Sequence, residues 1–517
     1  MKQIKILWTD DEIDLLKPHI IFLEQKGYLV DVATNGADAI VLVEKGEYDI
    51  IFLDENMPGL SGIETLSKIK NLTPLVPVIM ITKSEEENIM DEAIGSKIND
   101  YLIKPVNPNQ ILLAIKKNID QDRLINEKTT SNYQSQFMKL GMDINDSLNY
   151  KDWYEIYRKL CYWELEIGRS KDNTMDEVLT MQQNEANISF SKFIKRNYIS
   201  WFDPKNDDKP LLSPSLLKEK IFPLLKDGKK VVFLLMDNLR FDQWKSIEPL
   251  LAQYYTVTDE DMYFSILPTS TQYSRNSIFS GLMPSEINKL YPELWKNDDE
   301  EGGKNLHEEE MLKSLMARYN VRTGLFYEKI TDLKACKKIS DNAKSVLNNQ
   351  FVSIVVNFVD AFSHARTDQK MIRELANTTS AYRAITKSWF EFSPLFEMLK
   401  TFAENDIYLF ISTDHGNIQV SDPVKIIGDR ATTTNLRYKQ GRSLNYNKKD
   451  VFEILNPMDA FLPKTNISST YVFAYGTDFF AYPNNYNYYV KYYKDTFQHG
   501  GVSMQEMIIP AVTLKPK

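Results

Sequence analysis

Histidine is scarce in this chain, five among 517 residues, and cysteine scarcer, with Cys161 and Cys336 alone. Two cysteines are too few for a disulfide framework and fit a reducing compartment. No apolar run is long enough to cross a bilayer, so no membrane partner is expected. The opening MKQIKILWTDDE lacks a basic segment followed by an uninterrupted apolar core, which predicts no signal peptide and a cytoplasmic protein. Positive charge is in deficit as well. A net charge of -9 argues against a broad nucleic-acid-coating surface, though it leaves room for a local basic groove. What remains is an ordinary globular composition, 43% hydrophobic and 26% charged, over a length that accommodates about three or four domains.

The first 120 residues alternate apolar runs with helical patterns such as IDLLKPHIIFLEQKG and GADAIVLVEKG, which predicts an α/β domain with a parallel sheet. KILWT runs into Asp10, Asp11 and Glu12, DIIFLD ends on Asp54, VPVIMIT on Thr82, and NDYLIKP on Lys104 and Pro105. Each ending alone reads as a turn. Four of them at the carboxyl edge of one sheet, where such folds bind ligands, read as a site. Two or three carboxylates suit Mg2+, Asp54 suits a carboxylate nucleophile toward a phosphoryl donor, and Thr82 and Lys104 suit contacts to the new phosphoryl group. The set resembles the receiver domain of bacterial response regulators, a flavodoxin-like fold, over residues 1–120. The resemblance implies Asp54 as phospho-acceptor from a cognate sensor histidine kinase, Mg2+ on Asp10, Asp11 and Asp54, and Thr82, Tyr101 and Lys104 as switch residues. His19 reads as an ordinary helix residue.

Residues 121–215 change character. The polar DRLINEKTTSNYQSQF precedes DWYEIYRKLCYWELEIG, where Trp153, Ile156, Tyr157, Leu160, Trp163 and Ile167 recur at three- and four-residue spacing. That period is one amphipathic helix whose aromatic stripe reads as core. With the helical stretch that breaks at Asp203-Pro204, the segment reads as a helical bundle linking two α/β domains. It holds no short basic two-helix unit, so direct reading of duplex DNA is not expected.

In residues 216–517, KKVVFLLMD ends on Asp237, FVSIVVNFVDAFSHARTD carries Asp360 with His364 four residues later, FISTDHG delivers Asp414 and His415, and FQHGG sets His499 before two glycines. Three of the five histidines are thus expected in turns after apolar strands, each with a carboxylate or glycine beside it. A lone histidine of this kind is usually structural. Three with three aspartates suit zinc, manganese less well, and six ligands suit two ions that clamp a phosphoryl displacement. SILPTSTQYSRNSIFSGLMP offers Thr269, Ser270 and Thr271 as hydroxyls before a helix that stops at Gly281. His307, beside Glu308, reads as surface.

Order and spacing here resemble the alkaline phosphatase superfamily, specifically its PglZ-type domain. The resemblance implies a larger alkaline-phosphatase-like α/β domain with two Zn2+, one on Asp237, Asp414, His415 and the nucleophile, the other on Asp360, His364 and His499. The superfamily pattern places the nucleophile four residues before the polar residue opening the next helix, here Arg275, which selects Thr271; Arg275 itself reads either as a contact to phosphate oxygens or, nearly as readily, as an exposed arginine that serves only solubility. Sulfatases are set aside, because they mature a cysteine or serine at that position. Receiver, linker and this domain together resemble a family of response regulators tied to type IX secretion and gliding. That likeness implies a phosphodiesterase for short linear or cyclic oligonucleotides, controlled by Asp54 phosphorylation and dimerisation, with an extracytoplasmic-function sigma factor as a further partner. The rival class is a phosphorylation-switched adaptor without catalysis. Finally, RATTTNLRYKQGRSLNYNKKD and YVKYYKDTF interleave basic and aromatic residues, a mixture that can hold single-stranded nucleic acid but is more often a solvated loop. Arg437 and Arg442 are the cations on which that idea turns.

Overall fold

The computed structural model describes residues 3–83, 98–119, 121–169, 175–429, 432–483 and 485–517. The chain forms two compact units, the first reaching Asn132 and the second made of Tyr133–Arg169 and Asn173–Lys517.

In the first unit five parallel strands lie in the order Leu29–Ala33, Lys5–Thr9, Ile50–Asp54, Val78–Thr82, Asp100–Ile103. Alternation along each strand feeds two separate cores. Ile6, Trp8, Phe52, Ile79 and Ile81 pack on one face, and Leu7, Ile51, Leu53, Val78 and Met80 on the other. Strands Ile50–Asp54 and Val78–Thr82 are buried throughout, as expected of a parallel sheet covered on both sides. Leu29–Ala33 escaped the sequence reading because this edge strand is half exposed and its LVDVA carries no unbroken apolar run. Helix Gly62–Leu72 begins with a capping box, in which Ser61 and Glu64 each satisfy the other's backbone N–H, a contribution of about 1 kcal/mol. Chain order reverses between strands Lys5–Thr9 and Ile50–Asp54, so a crevice opens at their carboxyl ends.

The second unit is built on a six-stranded sheet ordered Tyr255–Phe264, Ile508–Pro516, Tyr408–Ser412, Val231–Met236, Phe351–Val356, Leu325–Ile330. Ile508–Pro516 runs opposite to the other five strands of this sheet. The parallel strands therefore release their following loops at one edge. Helices Tyr150–Gly168 and Asp176–Asn197 share a single apolar core with this sheet rather than forming a bundle of their own. Phe264, at the end of the edge strand, stacks on Tyr154 at 5.5 Å and Phe190 at 6.0 Å and meets Trp201 edge-on at 5.0 Å. The stripe from Trp153 to Ile167 is buried, as its periodicity predicts. Polar contacts reinforce the joint: Leu267 N–H donates to the Tyr198 hydroxyl at 2.7 Å, and Arg383 spans Glu164 of the linker and Asp242 of the sheet domain. Among the described residues no helix is long and apolar enough to cross a membrane.

Candidate metal centres

At the carboxyl edge of the first sheet, the Lys104 ammonium sits 2.8 Å from both Asp10 and Asp54. Asp10 and Asp54 are buried and Asp11 is exposed, and the three offer oxygens within reach of a single cation. Burial raises the Asp54 carboxyl despite Lys104, and Asp10 and Asp11 raise it further. Burial disfavours the Lys104 charge, but hydrogen bonds to Asp10 and Asp54 outweigh it and raise that group too. A Cβ on Gly62 would lie 2.4 Å from the Asp54 carbonyl, so only glycine lets the following helix start against the acceptor. The Thr82 hydroxyl hydrogen-bonds Glu55, a partner the sequence reading did not name, and Tyr101 is part-exposed on its strand. His19 bonds the Val106 carbonyl and packs edge-on against Trp8.

In the second unit six side chains from four segments of the chain meet as two groups, Asp237–Asp414–His415 and Asp360–His364–His499. Asp237 follows strand Val231–Met236, where its N–H continues the ladder to Val356. His415 follows strand Tyr408–Ser412 and is fully buried, and a Cβ on the next residue, Gly416, would collide with the Gln505 carbonyl at 2.0 Å. Asp360 and His364 depart from expectation: they lie in helix Phe358–Asp368, where four-residue spacing puts both on one face. His499 precedes Gly500, whose φ of 122 and contact with the Tyr438 ring admit no side chain. The imidazoles of His415 and His499 stack at 4.3 Å, so the two groups are neighbours. Each ring engages a backbone carbonyl through Nδ1, His415 with Gly416 at 3.0 Å and His499 with Thr269 at 3.2 Å. Both therefore turn Nε2 toward the carboxylates, 3.8 Å from Asp237 and Asp360 respectively, the orientation metal-binding imidazoles adopt.

Of the three candidate hydroxyls, Thr269 bonds the Gly501 carbonyl, Ser270 stands at the N-cap position without a side-chain capping hydrogen bond, and Thr271 points into the first group, 3.1 Å from His415 Nε2 and 3.5 Å from Asp237. Thr271 is the first residue of helix Thr271–Ser280, so Arg275 lies a turn inside the helix rather than opening it.

Residues 216–514 match the family described as the BREX system PglZ alkaline phosphatase-like domain, more than half of the chain. The chain belongs to the PglZ family. Ahead of the PglZ domain, residues 6–116 match the response regulator receiver domain and 123–202 the PorX response regulator linker domain, which together make a PorX-like architecture. Curated relatives are similar to this chain over about a quarter of its length. The transcriptional regulatory protein ResD of Bacillus subtilis is 32% identical over 144 residues, 27% of this chain and 60% of its own length. ZraR of Klebsiella oxytoca is 32% identical over 140 residues, 27% of this chain and 32% of its own. This chain thus spans less than two thirds of either relative. Among solved structures, a CheY-like receiver protein of Methanospirillum hungatei is 28% identical, with a TM-score of 0.23, over 23% of this chain and 96% of that one.

Inside the PglZ domain Arg275 is fully buried, with Nε 2.9 Å from Asp414, a second contact to Asp237, and Glu308 at 3.9 Å. The expectation of an arginine facing phosphate is thus met by one facing carboxylates. Burial drives the Asp237 carboxyl well above the usual range even beside Arg275. Burial also opposes ionisation of Asp414, but Arg275 and His415 hold it at about 2. Burial, with His415 alongside, pushes the His499 imidazole down to about 3, leaving it neutral and able to donate a lone pair. A neutral His499 imidazole and a surplus of buried carboxylate over guanidinium fit a site for divalent cations. The sequence reading missed Asn238, which donates to Asp360 at 3.2 Å, and Asn417, which anchors Asn238 at 2.9 Å. Their only signal was adjacency, Asn238 to Asp237 and Asn417 to the Asp-His-Gly turn. Arg437 is buried and paired with Glu506, so that basic stretch is partly internal structure, while Arg442 is exposed and residues 430 and 431 lie outside the described ones.

Proposed function

We propose that this chain is a two-component response regulator whose output is a zinc-dependent phosphodiesterase acting on short linear or cyclic oligonucleotides. Thr271 carries the reading: its hydroxyl lies within 3.5 Å of both His415 and Asp237, beside a second group of imidazole and carboxylate. Asp237, Asp414 and His415 would hold one Zn2+ with Thr271, and Asp360, His364 and His499 the other. When bound, the ions would supply charge that favours the Thr271 alkoxide and offsets charge developing on phosphate oxygens. Thr271 Oγ, having given up its proton, attacks phosphorus as the bond to one ester oxygen breaks and that nucleoside leaves as an alcohol, giving phosphothreonine; water then cleaves the Thr271–phosphorus bond, which returns the threonine hydroxyl and releases the other nucleoside as a phosphomonoester. Its place in the first turn of a helix adds the positive end of the helix dipole. Gly416 O and Thr269 O keep both histidines in one tautomer throughout.

A cognate sensor kinase phosphorylates Asp54, with Mg2+ on Asp10, Asp11 and Asp54, and Lys104, Thr82 and Tyr101 relay the change into receiver dimerisation. In this reading the protein works in the cytoplasm, controls type IX secretion and gliding, and contacts an extracytoplasmic-function sigma factor. Allosteric couplings of this class run about 1–3 kcal/mol, so beryllofluoride should tighten self-association about 5- to 150-fold in sedimentation experiments. One observation favours the adaptor reading: Arg275 already neutralises charge on Asp237 and Asp414 without a metal. The deciding experiment is the product profile of zinc-loaded protein and its Thr271→Val variant on linear and cyclic dinucleotides. Turnover lost in the variant supports the phosphodiesterase. No turnover by either protein, with zinc bound and beryllofluoride present, supports the adaptor.

A further inference from the structure

Helix Tyr486–Tyr493 buries none of its residues although five of them are tyrosines. Tyr488 is 65% exposed and Tyr489 39%, costly for rings that carry large apolar surface. The rings are ordered nonetheless. Tyr488 stacks over Tyr492 and Tyr489 over Tyr493, with planes 14° and 12° apart and centres at 6.2 Å in both pairs. Cations border them: Arg373 lies 5.4 Å from the Tyr492 ring and Lys425 5.1 Å from the Tyr486 ring, while Lys491 and Lys494 are exposed.

This strip adjoins the metal centres by two routes. Asp360, His364 and Asp368 follow one another at four-residue spacing along one face of helix Phe358–Asp368, and the Tyr492 hydroxyl donates to Asp368 at 3.4 Å. The strip therefore begins one helical turn beyond His364. His364 is also the open side of the centre, with 68% of its side chain exposed while its partner Asp360 shows 18%. Along the chain, the tyrosine helix leads within six residues to His499.

We propose that the tyrosine strip is a stacking platform for the bases of a single-stranded oligonucleotide whose scissile phosphate sits at the two metal groups, an inference that rests on the phosphodiesterase reading above. Every base has a π-face, so stacked tyrosines bind without regard to sequence, and the bordering cations meet backbone phosphates. Asp368, an anion beside the strip, is engaged by Tyr492. The platform sets substrate length: nucleotides beyond the scissile linkage gain binding that a dinucleotide lacks.

The test is fluorescence anisotropy of end-labelled hexathymidylate on the full chain carrying Thr271→Val, with and without the added pair Tyr488→Ala and Tyr489→Ala. Both rings are exposed, so the fold should survive, and circular dichroism checks it. Expected is binding at least about five-fold weaker for each ring removed, and weaker again as salt rises. In the active chain the same pair should raise KM for the hexanucleotide and leave kcat, and KM for a dinucleotide, unchanged. Equal binding with and without the pair, no binding by either protein, or a loss that coincides with a changed sedimentation coefficient overturns the platform, the last marking an interface between copies. Hydrolysis of bis(p-nitrophenyl) phosphate reports on the centre separately. If no diester is cleaved by the chain with Thr271 intact, the phosphodiesterase reading falls, and with it the platform's role as a substrate subsite, whatever the anisotropy shows.

Discussion

Arg275→Met is the sharpest perturbation available, because it removes charge from the centre while keeping most of the side-chain volume. Arg275 is fully buried and holds Asp237 and Asp414, with Glu308 near, so its loss leaves carboxylates without their cation in a dry site. Breaking a buried pair in this way costs about 3–5 kcal/mol. Protonation gives some relief, since burial already drives Asp237 upward and Asp414 would follow once Arg275 no longer holds it down. With a denaturant slope of about 3 kcal/mol/M or more for a unit of this size, the urea midpoint should fall by about 1 M in the presence of chelator. Zinc changes the sign of the local charge problem, because a dication on the same carboxylates replaces what the arginine supplied. The midpoint gained on adding zinc should therefore be larger in the variant than in the unaltered chain. Tryptophan fluorescence follows the right unit, since Trp8 is the one tryptophan outside it. An unchanged midpoint in chelator, or a deficit that zinc leaves untouched, would refute the view that Arg275 stands in for missing metal charge.

Further predictions concern separate parts of the chain. Lys439 is buried, donates to the Thr433 carbonyl and lies over the Tyr482 ring, and burial lowers its ammonium to about 7. Below that value the folded chain carries the full cost of a buried charge, and as pH rises from 7 toward the unfolded value the cost disappears; Lys439→Met should thus stabilise the protein by a few kcal/mol at pH 6, an order-of-magnitude figure, and hardly at all at pH 10. Urea midpoints at the two pH values that shift equally would sink this assignment. His499→Ala should reduce bound zinc, read by atomic emission, from two ions per chain to one, and a count that stays at two would remove the second group as a metal centre. Asp54→Asn should abolish phosphoryl transfer from acetyl phosphate and raise the receiver's melting midpoint in chelator, because one of three crowded acidic groups loses its charge. A phosphoryl group still retained by that variant would show that the acceptor lies elsewhere.

Much of this protein was legible along the chain because strand ends concentrate chemistry. A buried parallel strand must be apolar, so the first polar residue after it stands out, and Asp54, Thr82, Asp237 and Asp414 were all visible in that way. The stripe from Trp153 to Ile167 was legible for the same reason, a period of 3.6 on one buried face. Helical placement of Asp360 and His364 was not, since NFVDAFSHARTD reads equally as a strand's overrun until Asn357 turns the chain. What the fold alone decided were relations between distant segments. Residues 364 and 499 face the same carboxylate, two stacked imidazoles come from loops that are 84 positions apart, and a linker stripe finds its partner in Phe264. Arg275 shows the limit most clearly: its type and its distance from Thr271 were plain in the sequence, but whether it met phosphate, solvent or carboxylate depended on which groups were packed beside it. Sequence determines which side chains are available and on which face of their own element they lie; long-range packing determines their neighbours, and a charge's role follows from its neighbours.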